Sequence, residues 1–218
     1  MGDWDRDPTP VGECRWAFPD EFPDDELVAV GADLAPATIL AGYRRGMFPM
    51  PVGRDNTIGW ISPDPRGIIE LDALIVTRSL RRSCTRLHCT VDEQFDDVIE
   101  RCAELPRKGA WITHDFLDAY RELHRLGWAH SIETWNDEGK LVGGLYGVRI
   151  GQFFAGESMF HLATDASKVA LVQLVTIMRD SNMSLLDVQW LTPHLASLGA
   201  TEIPRGQYMA RLASALAL

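Results

Sequence analysis

Apolar positions along the chain recur in two rhythms, and the changes of rhythm lay out the elements. In "DEQFDDVIERCAEL", Phe95, Val98, Ile99 and Cys102 return at the spacing that gathers side chains on one helix face. "THDFLDAYRELHRLG" does the same, with Thr113 placed as N-cap and Gly127 as the stop. "DASKVALVQLVTIMRDSN" predicts a third helix, opened by Asp165. Between the second and third helices, residues 129–160 break at the Asn136–Gly139 and Arg149–Gly151 turns, which predicts a meander of three or more strands. A short apolar run, "SLLDVQW" (184–190), then reads as a strand.

The N-terminal part is punctuated differently. Residues 1–25, rich in Pro and Asp, predict an extended or flexible acidic lead. "LVAVGADL" predicts a short strand, followed by a helix that opens at Asp33 or Pro36, runs through Tyr43 to Arg45 and stops at Gly46. Residues 47–67, crowded with Pro and Gly around Trp60, read as turn chemistry, and a domain boundary is placed near residue 62. Beyond it, "GIIELDAL" predicts a strand, residues 77–87 a basic helix, and the stretch after Pro204 a short terminal helix. The fold class expected is therefore α+β. Residues 1–62 form a small N-terminal domain, and 63–218 form a domain around a central, mostly antiparallel sheet similar to that of the acyl-CoA-dependent N-acetyltransferases (GNAT-like). That fold holds its cofactor's diphosphate with an Arg/Gln-x-x-Gly loop at a helix start. No Arg or Gln here is followed three residues later by Gly, which disfavours acyl-CoA.

Charge changes the picture less by its sum than by its distribution. The 218 residues carry a net charge of −10, but ten acids against two bases in residues 1–33 supply most of it. In "TRSLRRSCTRLH", Arg78, Arg81, Arg82 and Arg86 stand without an acid, and Arg78, Arg82 and Arg86 would line one helix face. Such a face is either simply solvated or a phosphate-contacting patch. Cys14, Cys84, Cys89 and Cys102 form no CxxC pair, and the histidines form no HxxxH or HExxH pair, so no metal site is expected. Cys102 is read as core filling. No apolar run of membrane-spanning length and no secretory signal core is visible, and a cytoplasmic location is expected.

Candidate chemistry lies in polar residues inside apolar strands. Glu157, in "FFAGESMFH", is an acid among apolar neighbours, where burial raises a carboxyl pKa unless a partner compensates. Asp187 and Gln189, two apart in a strand, would point the same way with Val188 facing away. Both sets are open to two readings: a hydrogen-bonded core network, or a site in which a carboxylate orients a carboxamide toward an amine. Ser158 lacks a nucleophile elbow, and Cys84 and Cys89 lack a base, so covalent catalysis is disfavoured. Trp60 and Trp111 sit in or beside Gly/Pro-rich loops, as core residues or as stacking platforms for a base.

The stretches "LVAVGADL", "YRRGMFP", "WISPDPR", "GAWITHDFLDAYRELHRLGWAHSIETW", "LVGGLYGV", "GESMF", "DASKVAL", "DVQW" and "HLASLGATEIPR", in this order over roughly residues 27–208, resemble the bacterial leucyl/phenylalanyl-tRNA–protein transferases. The resemblance implies a monomeric, cofactor-free and metal-free enzyme. It would transfer Leu, Phe or less readily Met from aminoacyl-tRNA to proteins with N-terminal Arg or Lys, creating a degradation signal. By the same resemblance, Asp187 and Gln189 match the pair that orients and activates the acceptor α-amine, and Glu157 the acid that helps hold the substrates. Leu145, Phe154, Met159, Leu171, Leu174 and Leu186 match an aminoacyl side-chain pocket. Trp111 matches a contact to the terminal adenosine, and Arg78, Arg81, Arg82 and Arg86 fall in the tRNA-facing segment. Met50, Ile61 and Leu145 depart from the family pattern, where Trp, Trp and Met are common. The two competing readings are a CoA-dependent N-acyltransferase and a non-catalytic RNA-binding module.

Overall fold

In a computed structural model, residues 4, 6–53, 55–104 and 112–217 are described. Strand β1 (Leu27–Val30) leads into helix α1 (Pro36–Arg44), whose proline stands in the first turn, where a missing N–H has no cost. Gly46 ends the helix as expected. Its φ of +75° lets its N–H reach the Tyr43 carbonyl while the N–H of Met47 reaches that of Gly42.

Residues 47–61 are not turn but a hairpin, β2 (Phe48–Val52) and β3 (Thr57–Ile61). With β1 they form a three-stranded antiparallel sheet in the order β1-β3-β2. Pro49 and Pro51 are accommodated because β2 is an edge strand, where a missing N–H breaks no second ladder. The proline spacing that reads as a loop is thus an edge-strand signature.

β4 (Arg66–Ile69) ends sooner than the expected 67–74 strand, and Leu71–Ala73 wind into a 3-10 turn. Helix α2 (Arg78–Cys84) is capped by Thr77, whose hydroxyl accepts from the Leu80 N–H at 3.2 Å, and it stops before Arg86. β5 (His88–Val91), α3 (Phe95–Glu104) and α4 (His114–Arg125) follow. The predicted apolar faces are buried, Phe95, Val98, Ile99 and Cys102 on α3 among them. The meander is β6 (Ala129–Trp135), β7 (Leu141–Ile150) and β8 (Phe153–His161). Helix α5 (Ala166–Asp180) crosses back to β9 (Leu185–Gln189), and α6 (Pro193–Ala196), β10 (Thr201–Ile203) and α7 (Arg205–Leu216) close the chain. Asp165 precedes α5 as expected but does not cap it. It sits at φ +65° and accepts instead from Ser83 and Lys168, each at 3.0 Å.

The larger sheet has the order β10-β4-β9-β8-β7-β6-β5 and is antiparallel except at the β8/β9 pair. That parallel pair is what a helical crossover through α5 produces. The protein is therefore a mixed α+β fold with a mainly antiparallel sheet. One apolar cluster joins Tyr43, Met47 and Trp60 of the N-terminal segment to Tyr120, Phe153 and Tyr208 beyond it, and a second packs α5 on the opposite face. Trp60 is fully buried, donates its indole N–H to the Gly31 carbonyl at 3.0 Å and meets Phe18 edge-on. It is a core residue and is not placed to stack on a base. No helix among the described residues is long and apolar enough to cross a membrane.

Replacing Trp60 by Ala should cost about 3–5 kcal/mol of unfolding free energy. Chemical denaturation measures this, and a loss below about 1 kcal/mol contradicts the core assignment.

Candidate active site

Asp187 lies in the middle of β9 with no exposed surface, so its charge requires a partner from the protein. The partner is Arg66, the first residue of β4, equally buried. Its Nε donates to Asp187 Oδ1 at 2.9 Å and its Nη2 to Oδ2 at 2.6 Å. Tyr208 on α7 adds a hydroxyl donated to Oδ2 at 2.9 Å, and Arg66 Nη1 donates to the Gly46 carbonyl at 3.0 Å. Burial alone would lower the Arg66 pKa, but the Asp187 charge keeps it above the ordinary arginine value. Burial, the largest effect, pushes the Tyr208 phenol well above the ordinary tyrosine range, so it remains a donor.

Glu157 is placed by a bulge. Gly156 pairs with Gly147 and Ser158 with Tyr146, which leaves Glu157 as the extra residue of β8. Its Oε1 accepts from the Tyr43 hydroxyl at 2.6 Å and from Gln189 Nε2 at 3.3 Å, and its Oε2 from the Tyr120 hydroxyl at 3.1 Å. Tyr43 and Tyr120 are themselves 2.7 Å apart through their hydroxyls. Glu157 is only half-buried, since its carboxylate edge opens on a cavity. Its pKa is pushed up to about 7, first by burial and then by the Asp187 charge, against the lowering effect of the two phenols and Arg66. Both phenols are raised well above the ordinary range, chiefly by burial, so they donate and Glu157 accepts.

Gln189 does not obey strand alternation. Its φ is +60°, and its neighbours close a tight turn in which the Trp190 N–H bonds the Val188 carbonyl at 2.7 Å. The expectation that Asp187 and Gln189 share the site face while Val188 turns away is therefore corrected. Asp187 points into the Arg66–Tyr208 cluster, Leu186 and Val188 line the cavity, and the turn swings Gln189 into the cavity as well.

The cavity measures about 510 Å³. Leu145, Met159, Leu171, Leu174 and Leu186 form its apolar part, Glu157 and Gln189 its polar part, and Met50, Trp190, Thr192 and His194 further walls. Glu157 is the one carboxylate in this lining. Phe154 is not in the lining. It is fully buried behind it, stacked on Trp4 at 5.8 Å, and supports the pocket from below. Trp111 lies outside the described residues. Ile61 is buried in the core. Arg78 and Arg82 are exposed on α2, whereas Arg86 follows the helix, so the three do not share a helix face. Arg81 is turned back, its guanidinium donating to the Val76 carbonyl at 3.2 and 3.1 Å. A wider hollow of about 660 Å³ beside α4 is lined mainly by charged groups engaged with one another, such as His130 with Asp92 at 2.7 Å and Arg121 with Asp96 at 3.2 Å.

Sequence reasoning missed Arg66, Tyr43, Tyr120 and Tyr208. One signal was present: an arginine heading the apolar strand "RGII" has to find an acid if the strand is central. The tyrosines sit at core positions of helices, where nothing separates a phenol that packs from one that also donates.

Among the described residues, no group of three or more His, Cys, Asp or Glu is placed to hold a metal ion. The profile of the family described as leucyl/phenylalanyl-tRNA protein transferase matches residues 68–213, and that of its N-terminal domain residues 32–64. The leucyl/phenylalanyl-tRNA–protein transferase of Pseudoalteromonas atlantica is 49% identical over 194 residues, covering 87% of this chain and 82% of that one. The protein of the same name from Anaeromyxobacter sp. strain K is 49% identical over 207 residues, covering 92% and 88%. Among solved structures, L-PGS from Bacillus licheniformis matches with a TM-score of 0.42 and 14% identity over 60% of this chain and 47% of that one, too slight a likeness to carry an argument. With half of its residues shared with these relatives over most of its length, the chain belongs to the leucyl/phenylalanyl-tRNA–protein transferase family.

Proposed function

We propose that the cavity holds the leucyl or phenylalanyl side chain of an aminoacyl-tRNA, and that Glu157 and Gln189 receive the α-amine of a protein beginning with Arg or Lys. The observation that carries this reading is the cavity itself, in which an apolar pocket of leucines and a methionine ends on one titratable carboxylate and one carboxamide. The aminoacyl ester is already activated, so positioning and a modest base suffice. Gln189 gives its amide N–H to Glu157, which leaves its carbonyl to accept from the incoming amine. The amine nitrogen bonds to the ester carbonyl carbon while its proton passes to Glu157. The bond to the ribose oxygen then breaks, and that oxygen takes the proton as the tRNA leaves. Asp187 serves by holding Gln189, since both its oxygens are committed to Arg66, Tyr208 and the Gln189 N–H.

The same reading covers the wider arrangement. We take residues 1–62 and 63–218 as a small N-terminal domain and an acetyltransferase-like catalytic domain, supported by the two separate sheets and the single parallel pair. Arg78, Arg82 and Arg86 face RNA phosphate, Trp111 the terminal adenosine, and the enzyme works as a cytoplasmic monomer without a cofactor. Methionine is a poorer donor. An acyl-CoA reading is opposed by the start of α5, where the Asp165 carboxylate, paired with Lys168, stands where a diphosphate would bind. A non-catalytic RNA module leaves the leucine-lined cavity and its carboxylate without a use.

Labelled Leu or Phe should pass from charged tRNA to an Arg-initiated peptide, and a complete lack of transfer rejects the reading. The rate should rise with pH through about 7 as Glu157 ionises, and Glu157→Gln should remove that limb and lower kcat by about 100-fold or more. The folded protein also keeps the Glu157 proton to about pH 7 while the unfolded chain releases it near 4.5. Wild type should therefore lose stability relative to Glu157→Gln as pH rises from about 4.5 to about 7, as read by thermal melting. Leu171→Phe narrows the pocket and should reduce kcat/KM for Phe-tRNA at least about tenfold more than for Leu-tRNA. Arg→Ala at Arg78, Arg82 or Arg86 should weaken tRNA binding and flatten its log–log salt slope by about 1. An unchanged slope returns those arginines to a solvated surface.

A further inference from the structure

Gln189 is a non-glycine residue at φ +60°, and the N–H of Trp190 bonded to the Val188 carbonyl makes its turn a positive-φ γ-turn, a rare and strained conformation. Such strain persists only where surrounding contacts over-determine it. Two contacts do so here. The Gln189 N–H donates at 2.9 Å to Asp187 Oδ1, the oxygen that also accepts from Arg66 Nε at 2.9 Å. The same turn abuts the backbone of β4. Gly67 pairs with Gln189 and Ile68 with Asp187, so the ladder skips Val188, and a Cβ on Gly67 would stand 2.9 Å from the Trp190 carbonyl carbon. Arg66 and Gly67 are adjacent, so one dipeptide of β4 grips the turn through a side chain and admits it through the lack of one.

We propose that Arg66 and Gly67 are positioning residues whose role is to force the γ-turn at Gln189 and so deliver its carboxamide into the cavity. Without that turn, strand alternation would send Gln189 away from Leu186 and Val188, which line the cavity. Arg66 acts at one remove: it immobilises the Asp187 carboxylate, which in turn holds the Gln189 N–H. Tyr208 steadies the other oxygen at 2.9 Å. The proposal rests on the assignment of Gln189 to the amine given above, and it adds residues that touch neither substrate.

The experiment is a double-mutant comparison with a second readout that needs no substrate. Gly67→Ala and Arg66→Lys are each made in the wild-type chain and in Gln189→Gly, which tolerates the turn but lacks the carboxamide. In the wild-type background each should lower kcat on the order of 100-fold, with KM for aminoacyl-tRNA held within about twofold. In the Gln189→Gly background neither should lower kcat by more than about twofold, because the group being positioned is already gone. Hydrogen exchange of the Gln189 amide, slow in wild type, should quicken in both variants. Tyr208→Phe, a milder change, should quicken it less and lower kcat by a smaller factor. Equal losses in the two backgrounds, or unchanged exchange at the Gln189 amide, overturn the proposal. Faster exchange with unaltered kcat keeps the clamp but removes Gln189 from the chemistry, which overturns the functional half of the claim.

Discussion

The buried ion pair between Arg66 and Asp187 is the constraint on which the rest of the site depends. Neither side chain reaches solvent, so each charge exists only because the other is 2.6–2.9 Å away in two-pronged contact. A pair of this kind adds little net stability, yet removing one partner strands the other at a cost of about 3–5 kcal/mol. The pair also fixes where segments far apart in the chain must lie. It joins β4 to β9, holds the Gly46 carbonyl that the end of α1 exposes, and takes a hydroxyl from α7. Because α1 is held there, Tyr43 reaches Glu157. The pair is therefore a registration device as much as a contact.

Two carboxylates on neighbouring strands, β8 and β9, consequently acquire different chemistry. Asp187 faces a guanidinium, a phenol and a backbone N–H, and has no outlet to the cavity. Glu157 faces only neutral donors, two tyrosines and a carboxamide, and opens on the cavity with a pKa near 7. Burial without a directly bonded cation makes one a weak base, and burial with one makes the other a fixed anchor. The bulge in β8 and the turn in β9 are the backbone devices that turn Glu157 and Gln189 toward each other.

The parts of this architecture legible in the sequence were those written in local periodicity. The helices around Phe95, Tyr120 and Leu171, the meander and the stop at Gly46 all follow from spacing over a few residues. Pro49 and Pro51 concealed β2, because proline punctuation looks the same in a loop and on a sheet edge. For the site, Glu157 and Gln189 stood out as polar residues in apolar strands, and most of the resemblance-based pocket residues do meet in one cavity. The facing of β9 was illegible. Alternation assumes regular φ, and the positive φ at Gln189 is imposed by Arg66 and Gly67, more than a hundred residues away in the chain. Tyr43, Tyr120 and Tyr208 were illegible for a related reason, since their partners are fixed only by tertiary packing.

A leucine-lined pocket, a carboxyl group with a pKa near 7 and a carboxamide held by a strained turn are the parts of the site that we propose moves an activated acyl group onto an amine. The most direct test is a crystal structure with a non-hydrolysable phenylalanyl-adenosine in which an amide replaces the ester. The benzyl side chain is expected among Leu171, Leu174 and Leu186, with the carbonyl beside Gln189 and Glu157. A benzyl group lodged elsewhere, with this cavity left to solvent, would contradict the account.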